Sequence, residues 1–156
     1  MGSIIRVAIA DLGVGKKDDQ LFTVVGSCIA IMLYDKVKQI GGMIHIMLGY
    51  SKGRKDNICK YVDSGIPVLL EKMMKKGASR KRILGAKISG GAILLAKKDE
   101  HNIARENLEA THQVLRQHGI QVIASDCGGD FGRRITFDVT SGRVEVESHN
   151  GYKKIL

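Results

Sequence analysis

The stretch Cys28-Ile29-Ala30-Ile31-Met32-Leu33-Tyr34, the turn Asp35-Lys36-Val37-Lys38-Gln39 and the run Ile40-Gly41-Gly42-Met43-Ile44-His45-Ile46-Met47-Leu48 decide the fold. Two apolar runs rich in β-branched residues flank a short polar turn, which is the pattern of a β-hairpin. Antiparallel pairing puts Cys28 and His45 toward the same end of that hairpin. Just upstream, Gly26 and Ser27 in Val24-Val25-Gly26-Ser27-Cys28 are small residues that let the chain turn sharply. A cysteine at such a mouth sits at a sheet edge, where backbone N–H groups can meet an oxyanion. A histidine inside an apolar run is out of place without a partner. Thiol and imidazole on neighbouring strands would make the nucleophile–base pair of covalent catalysis. Each residue also has a plainer reading, since free cysteine often fills space as a small hydrophobe and a core histidine can simply be hydrogen-bonded.

Working outward, residues 3–10 read as a strand and residues 11–20, with Gly13 and Gly15, as a polar loop. Residues 21–25 form a strand that enters the Gly-Ser-Cys turn. Residues 49–57 are a basic loop after the histidine run, expected to border the site as a lid or a partner contact. Residues 58–76 read as a helix, with Val62, Ile66, Leu69 or Leu70, and Met73 at helical spacing and Gly77 as the stop. Pro67 predicts a kink there unless the helix starts later. Residues 82–89 are a strand ending in Gly90-Gly91-Ala92. A second helix spans 100–118, with Ile103, Asn107, Ala110 and Val114 on one face and Gly119 at its end. Residues 120–124 form a strand, 125–132 a turn-rich loop, and 134–140 and 143–147 two strands around Ser141-Gly142; the tail from 148 is unassigned. The total is about eight strands and two helices, with hairpins early and one crossover in the middle. That is an α+β or layered α/β class: two packed mixed β-sheets with the two main helices outside.

A chain of 156 residues suits one domain, 1–156, with one substantial core. No apolar run is long enough to span a membrane and the first residues lack a signal-peptide pattern, so a cytoplasmic protein without membrane insertion is expected. The three cysteines Cys28, Cys59 and Cys127 are odd in number and widely spaced, which favours reduced thiols over a disulfide framework. His101, His112, His118 and His149 lack metal-ligand spacing and read as surface groups. None of these residues therefore reads as a metal ligand. The net charge of +9 invites an electrostatic partner, but with no Trp and 4 % aromatic residues a base-stacking platform is disfavoured. A solvated basic face, or a surface for an acidic protein partner, is the better reading than nucleic acid. Gly90-Gly91 and Gly128-Gly129 lack both the P-loop and the G-x-G-x-x-G context and read as tight turns, with Asp126 and Arg133-Arg134 as anchors of the second. Arg105 and Asn107, with Glu106 and Glu109, read as a capping and salt-bridge face of the second helix.

Together these stretches resemble a known family. Val24-Val25-Gly26-Ser27-Cys28-Ile29-Ala30-Ile31 and Gly42-Met43-Ile44-His45-Ile46-Met47-Leu48 are similar to the L-G-S-C-V-A-V and G-M-A-H-V-M-L blocks of the CheD family, the chemoreceptor glutamine deamidases of bacterial chemotaxis. Lys60-Tyr61-Val62-Asp63-Ser64-Gly65 resembles K-Y-A-D-T-A, and Ala86-Lys87-Ile88-Ser89-Gly90-Gly91-Ala92 resembles A-K-I-A-G-G-A. Asn102-Ile103-Ala104-Arg105-Glu106-Asn107 is similar to N-I-G-x-R-N, and Asp126-Cys127-Gly128-Gly129 to D-T-G-G. The blocks keep family order from about residue 4 to 147. Cys127 departs from the family threonine, and Leu48 is not followed by proline.

The resemblance implies Cys28 as nucleophile, His45 as general base and acid, and an upstream threonine orienting the imidazole. Thr23 is the candidate, although some members carry the threonine one residue farther from the cysteine, where this chain has Phe22. It further implies chemoreceptor cytoplasmic helices as substrate, an open and shallow site, a CheC-type phosphatase as partner, and no cofactor or metal. The layered sheets are also similar to the catalytic domain of the cytotoxic necrotizing factor toxins, a cysteine hydrolase fold. Two other functions fit the same resemblance: an adaptor that regulates the phosphatase, and methyl-ester hydrolysis by the same thiol.

Overall fold

In a computed structural model, which describes residues 2–95 and 99–156, the central hairpin pairs as its sequence predicts. Its strands are β4 (Ile29–Asp35) and β5 (Ile40–Ile46), antiparallel, with Ala30 opposite His45. Around them in chain order come β1 (Ile4–Arg6), β2 (Asp11–Lys16) and β3 (Gln20–Val25) before the hairpin, and α1 (Val62–Lys75), β6 (Gly85–Gly90), α2 (Glu100–Gln117), β7 (Gln121–Cys127), β8 (Arg133–Asp138), β9 (Val144–Glu147) and β10 (Lys153–Ile155) after it. They form two five-stranded sheets, ordered β1-β3-β8-β9-β10 and β2-β5-β4-β6-β7. Both are mixed: β1 and β3 run parallel, as do β6 and β7, while the other pairings are antiparallel. The fold is thus the expected α+β arrangement of two packed sheets with helices outside. No helix among the described residues is long and apolar enough to cross a membrane.

Side-chain alternation along β4 explains the layering. Ile29, Ile31 and Leu33 pack toward α1 and α2, while Ala30 and Met32 pack toward the other sheet. A strand covered on both faces is apolar at every position, hence the unbroken run from Cys28 to Leu33. On β5 two adjacent glycines serve the same sandwich. A Cβ on Gly41 would stand 2.8 Å from the Phe137 ring, and one on Gly42 would stand 2.7 Å from Met73 Sδ. Their bare backbone lets the second sheet and α1 approach from opposite sides.

Several expectations are corrected. The strand expected over 3–10 ends at Arg6, and the chain then crosses from one sheet to the other through Ala10, which has φ +57. The expected loop over 11–20 contains β2. Its glycines misled because they tolerate crowding rather than make turns: a Cβ on Gly13 would lie 3.1 Å from both Ile5 and Val7. The helix expected from residue 58 starts at Val62, preceded by a single 3-10 turn at Ile58–Lys60. It continues through Pro67, which is on the exposed face where water can reach the carbonyl that proline leaves unbonded. Gly77 ends it at φ +113, with Gly77 N–H donating to Met74 O and Ala78 N–H to Met73 O. The strand expected over 82–89 begins only at Gly85, after a 3-10 turn at Arg80–Arg82. Residues 125–127 belong to β7 because parallel pairing with β6 runs on to Gly90 opposite Cys127. The tail supplies β10. On α2 the buried face is Ala104, Asn107, Ala110, Thr111, Val114 and Leu115, and Ile103 is exposed.

Candidate functional site

Strand parity brings the site together. On β3 the inward residues are Leu21, Thr23 and Val25, and on β5 His45 faces the same inter-sheet layer. Thr23 and His45 therefore meet across the sandwich, both buried, with Thr23 Oγ1 2.8 Å from His45 Nδ1. Thr23 Oγ1 also donates to the Val7 carbonyl at 2.7 Å. A hydroxyl has one proton, so with that proton on Val7 O the oxygen must accept from Nδ1–H. This sets the tautomer. His45 Nε2 is then the lone-pair nitrogen, and it is buried with no hydrogen-bond partner among the described residues.

Cys28 is half-buried in the bend between β3 and β4, next to the inter-sheet core. It lines, with Thr23 and His45, an open cleft of about 610 Å³ whose walls include Arg6, Ile9 and Leu94. Burial pushes the Cys28 thiol up and the His45 imidazole down from their ordinary values. Both shifts favour a neutral thiol beside a neutral imidazole at rest.

The bend that carries Cys28 is held from behind. Gly91 N–H donates to Cys28 O at 2.9 Å and Ala92 N–H to Gly26 O at 3.0 Å. Gly90 has φ +122, and a Cβ there would fall 2.2 Å from Cys28 O, so only glycine allows this approach. The second glycine pair holds the first, because Gly128 N–H donates to Gly90 O and Ile93 N–H to Gly129 O, each at 2.9 Å. The two glycine pairs, read from sequence as separate tight turns, are one clamp on the cysteine. Asp126 does anchor the second pair through a 3.1 Å bridge to Arg133, whereas Arg134 is exposed.

Other residues fall outside the cleft. Residues 49–57, expected to border the site, do not line it. They are tied to the start of α1 by Ser51 hydrogen bonds to Asp63 at 2.9 and 3.0 Å and by Arg54 stacked over Tyr61. Cys127 faces the helix-side core rather than the inter-sheet cleft, and burial raises its thiol to about 11. Cys59 sits in the 3-10 turn before α1. Asn107 is no capping residue: it is buried, accepts from Gly49 N–H and donates to Met47 O, fastening α2 to the chain just beyond His45. Val7, whose carbonyl fixes the tautomer, carried no signal in its side chain; only the break in the first strand could have pointed to it.

Comparison with known proteins follows the same line. A family model described as CheD chemotactic sensory transduction matches residues 47–148. A protein of Methanococcus maripaludis strain C5 is 40 % identical over 154 residues, covering 97 % of this chain and 99 % of that one. One from Caldanaerobacter subterraneus subsp. tengcongensis is 42 % identical over 151 residues, 93 % of each chain, and one from Clostridium novyi is 44 % identical over 150, 92 % of each. All three bear the name probable chemoreceptor glutamine deamidase CheD. Matched by that family model over residues 47–148 and by relatives 40–44 % identical over nearly its whole length, the chain belongs to the CheD family.

Proposed function

We propose that this chain is a cytoplasmic chemoreceptor glutamine deamidase that uses Cys28 as nucleophile, His45 as general base and acid, and Thr23 to orient His45. The observation that carries the reading is the Val7–Thr23–His45 chain of hydrogen bonds, which leaves a basic Nε2 in the cleft that Cys28 lines. The relatives' names supply the substrate class, a glutamine of a chemoreceptor.

In this reading His45 Nε2 takes the Cys28 proton as sulfur attacks the side-chain amide carbon of glutamine. The tetrahedral oxyanion is met by backbone N–H groups of the bend, where those of Ser27 and Cys28 donate to no carbonyl among the described residues. The imidazolium returns its proton to the departing nitrogen, ammonia leaves, and a thioester remains. His45 then draws a proton from water, which attacks the thioester and releases glutamate with the thiol restored. No metal or cofactor enters these steps. A helix-borne glutamine suits a cleft open to solvent between two sheets, and a CheC-type phosphatase is the proposed protein partner.

The test is incubation with a cognate receptor cytoplasmic fragment, read by peptide mass spectrometry for Gln→Glu conversion. Wild type is expected to convert specific glutamines, and Cys28→Ala and His45→Gln are expected to convert none. Conversion by Cys28→Ala at the wild-type rate would overturn the assignment.

A further inference from the structure

The far end of the sandwich has a second concavity that the proposed chemistry does not use. Beyond Tyr34, where β4 leaves the sheet, a bay of about 500 Å³ opens between the two sheets. Met32, Tyr34 and Phe137 form its floor, with the Tyr34 and Phe137 rings edge to face at 5.7 Å. Its walls are three large apolar side chains that stand in solvent: Val37 at 64 %, Leu84 at 61 % and Ile123 at 64 % exposure. For Ile123 the exposure has a structural cause. β7 is the edge of its sheet, and at the register shift between Ala86 and Lys87 in the β6–β7 pairing Ile123 folds over the bare backbone of Gly85. Large apolar residues clustered at a concave rim, rather than scattered singly, mark an interaction site.

Charge identifies the occupant. Lys36, Lys81, Arg82 and Lys87 line the bay and no acidic residue does. Arg82 is matched by buried Asp35 at 2.9 Å, and Lys87 Nζ donates to the Gly142 carbonyl. Neither Lys36 nor Lys81 has a carboxylate within ion-pair distance among the described residues. An occupant must therefore bring negative charge to the rim and an apolar group to the floor. A flat bilayer would meet the rim but not the recessed Met32 and Phe137, whereas a peptide side chain can enter. We propose that this bay docks an acidic segment of a partner protein through one large apolar side chain flanked by Asp or Glu. The length of β4 separates it from Cys28 by about 20 Å, so a partner held here leaves the catalytic cleft open.

The test pans a random peptide library displayed on phage against wild-type protein, with counter-selection on the Leu84→Glu/Ile123→Glu double variant. Both residues are exposed, and retained thermal melting of the variant verifies its fold. Selected peptides are expected to share a large apolar residue among acidic ones, to bind at least tenfold more weakly to Leu84→Glu, Ile123→Glu and Lys81→Glu, and to bind Met74→Glu, altered on exposed α1, as they bind wild type. Higher salt is expected to weaken them. Failure to enrich any peptide that the double variant loses, or enrichment of neutral or basic ones, would overturn the proposal. So would phosphatidylglycerol vesicles that bind wild type, and not Leu84→Glu, when no peptide does.

Discussion

At the residue scale, the position of one proton governs the site. In the proposed mechanism Thr23 serves only because Val7 O holds its hydroxyl proton, which makes Oγ1 an acceptor for His45 Nδ1–H. Thr23→Val keeps shape and burial but removes that acceptor, so the imidazole loses both its orientation and its tautomer. Deamidation should fall on the order of tenfold to a hundredfold in kcat, part of the roughly 10²–10⁴ that general acid–base catalysis supplies, while Thr23→Ser should retain most activity. Equal rates for Thr23→Val and wild type would remove Thr23 from the mechanism. A pH profile probes the same residue. Burial holds the His45 pKa below its ordinary 6.5, so the neutral base persists through that pH. The acid limb of kcat/KM should lie below 6.5, with activity lost as pH falls through the depressed value; a limb above 6.5 would contradict the buried geometry. Stability has the same sign, because the unfolded chain takes up this proton at a higher pH than the folded one, and acidification below about 6.5 therefore destabilises.

At the element scale, what could be read from sequence followed from periodicity, and what could not followed from tertiary crowding. The hairpin of β4 and β5 and the helical periodicity of α1 and α2 are local patterns, and they placed Cys28 and His45 at one end of one strand pair. β2 was hidden because Gly13 and Gly15 read as turn residues, although their role is to admit side chains of the facing sheet. Likewise Gly90-Gly91 gave the right local reading and the wrong role, since nothing local reveals that Cys28 O lies against Gly90. Two glycine substitutions separate these effects. Gly119 ends α2 at φ +71 with open space around a would-be Cβ, so Gly119→Ala should cost about 1 kcal/mol in urea unfolding and leave deamidation unchanged. Gly90→Ala adds a collision with the Cys28 carbonyl to an unfavourable φ of +122. It should cost roughly 1–3 kcal/mol and also lower kcat by displacing Cys28, the proposed nucleophile. Loss of stability without loss of activity in Gly90→Ala would mean that the clamp supports the fold alone.

At the scale of the whole molecule, a buried ion pair joins the two sheets near the candidate site. Asp126 on β7 and Arg133 on β8 belong to opposite sheets and meet at 3.1 Å, both buried. Tyr152 donates to the other Asp126 oxygen at 2.8 Å, and Arg133 lies over the Phe131 ring at 4.5 Å. Because Asp126 precedes the Gly128–Gly129 turn and Arg133 pairs with Val25 on β3, this bridge joins the glycine clamp to the strand that carries Thr23. A buried pair need not add net stability over apolar residues of the same volume, but removing one partner leaves the other charge uncompensated. Arg133→Met should accordingly destabilise by about 3–5 kcal/mol, and the Asp126→Leu/Arg133→Met double variant by less than the sum of the two single losses. Chemical denaturation of the four proteins gives the coupling directly. Additive losses would mean that the two side chains act separately. A coupling of about 1 kcal/mol or more would make the bridge one unit that holds the sheets in the register on which the Thr23–His45 contact depends.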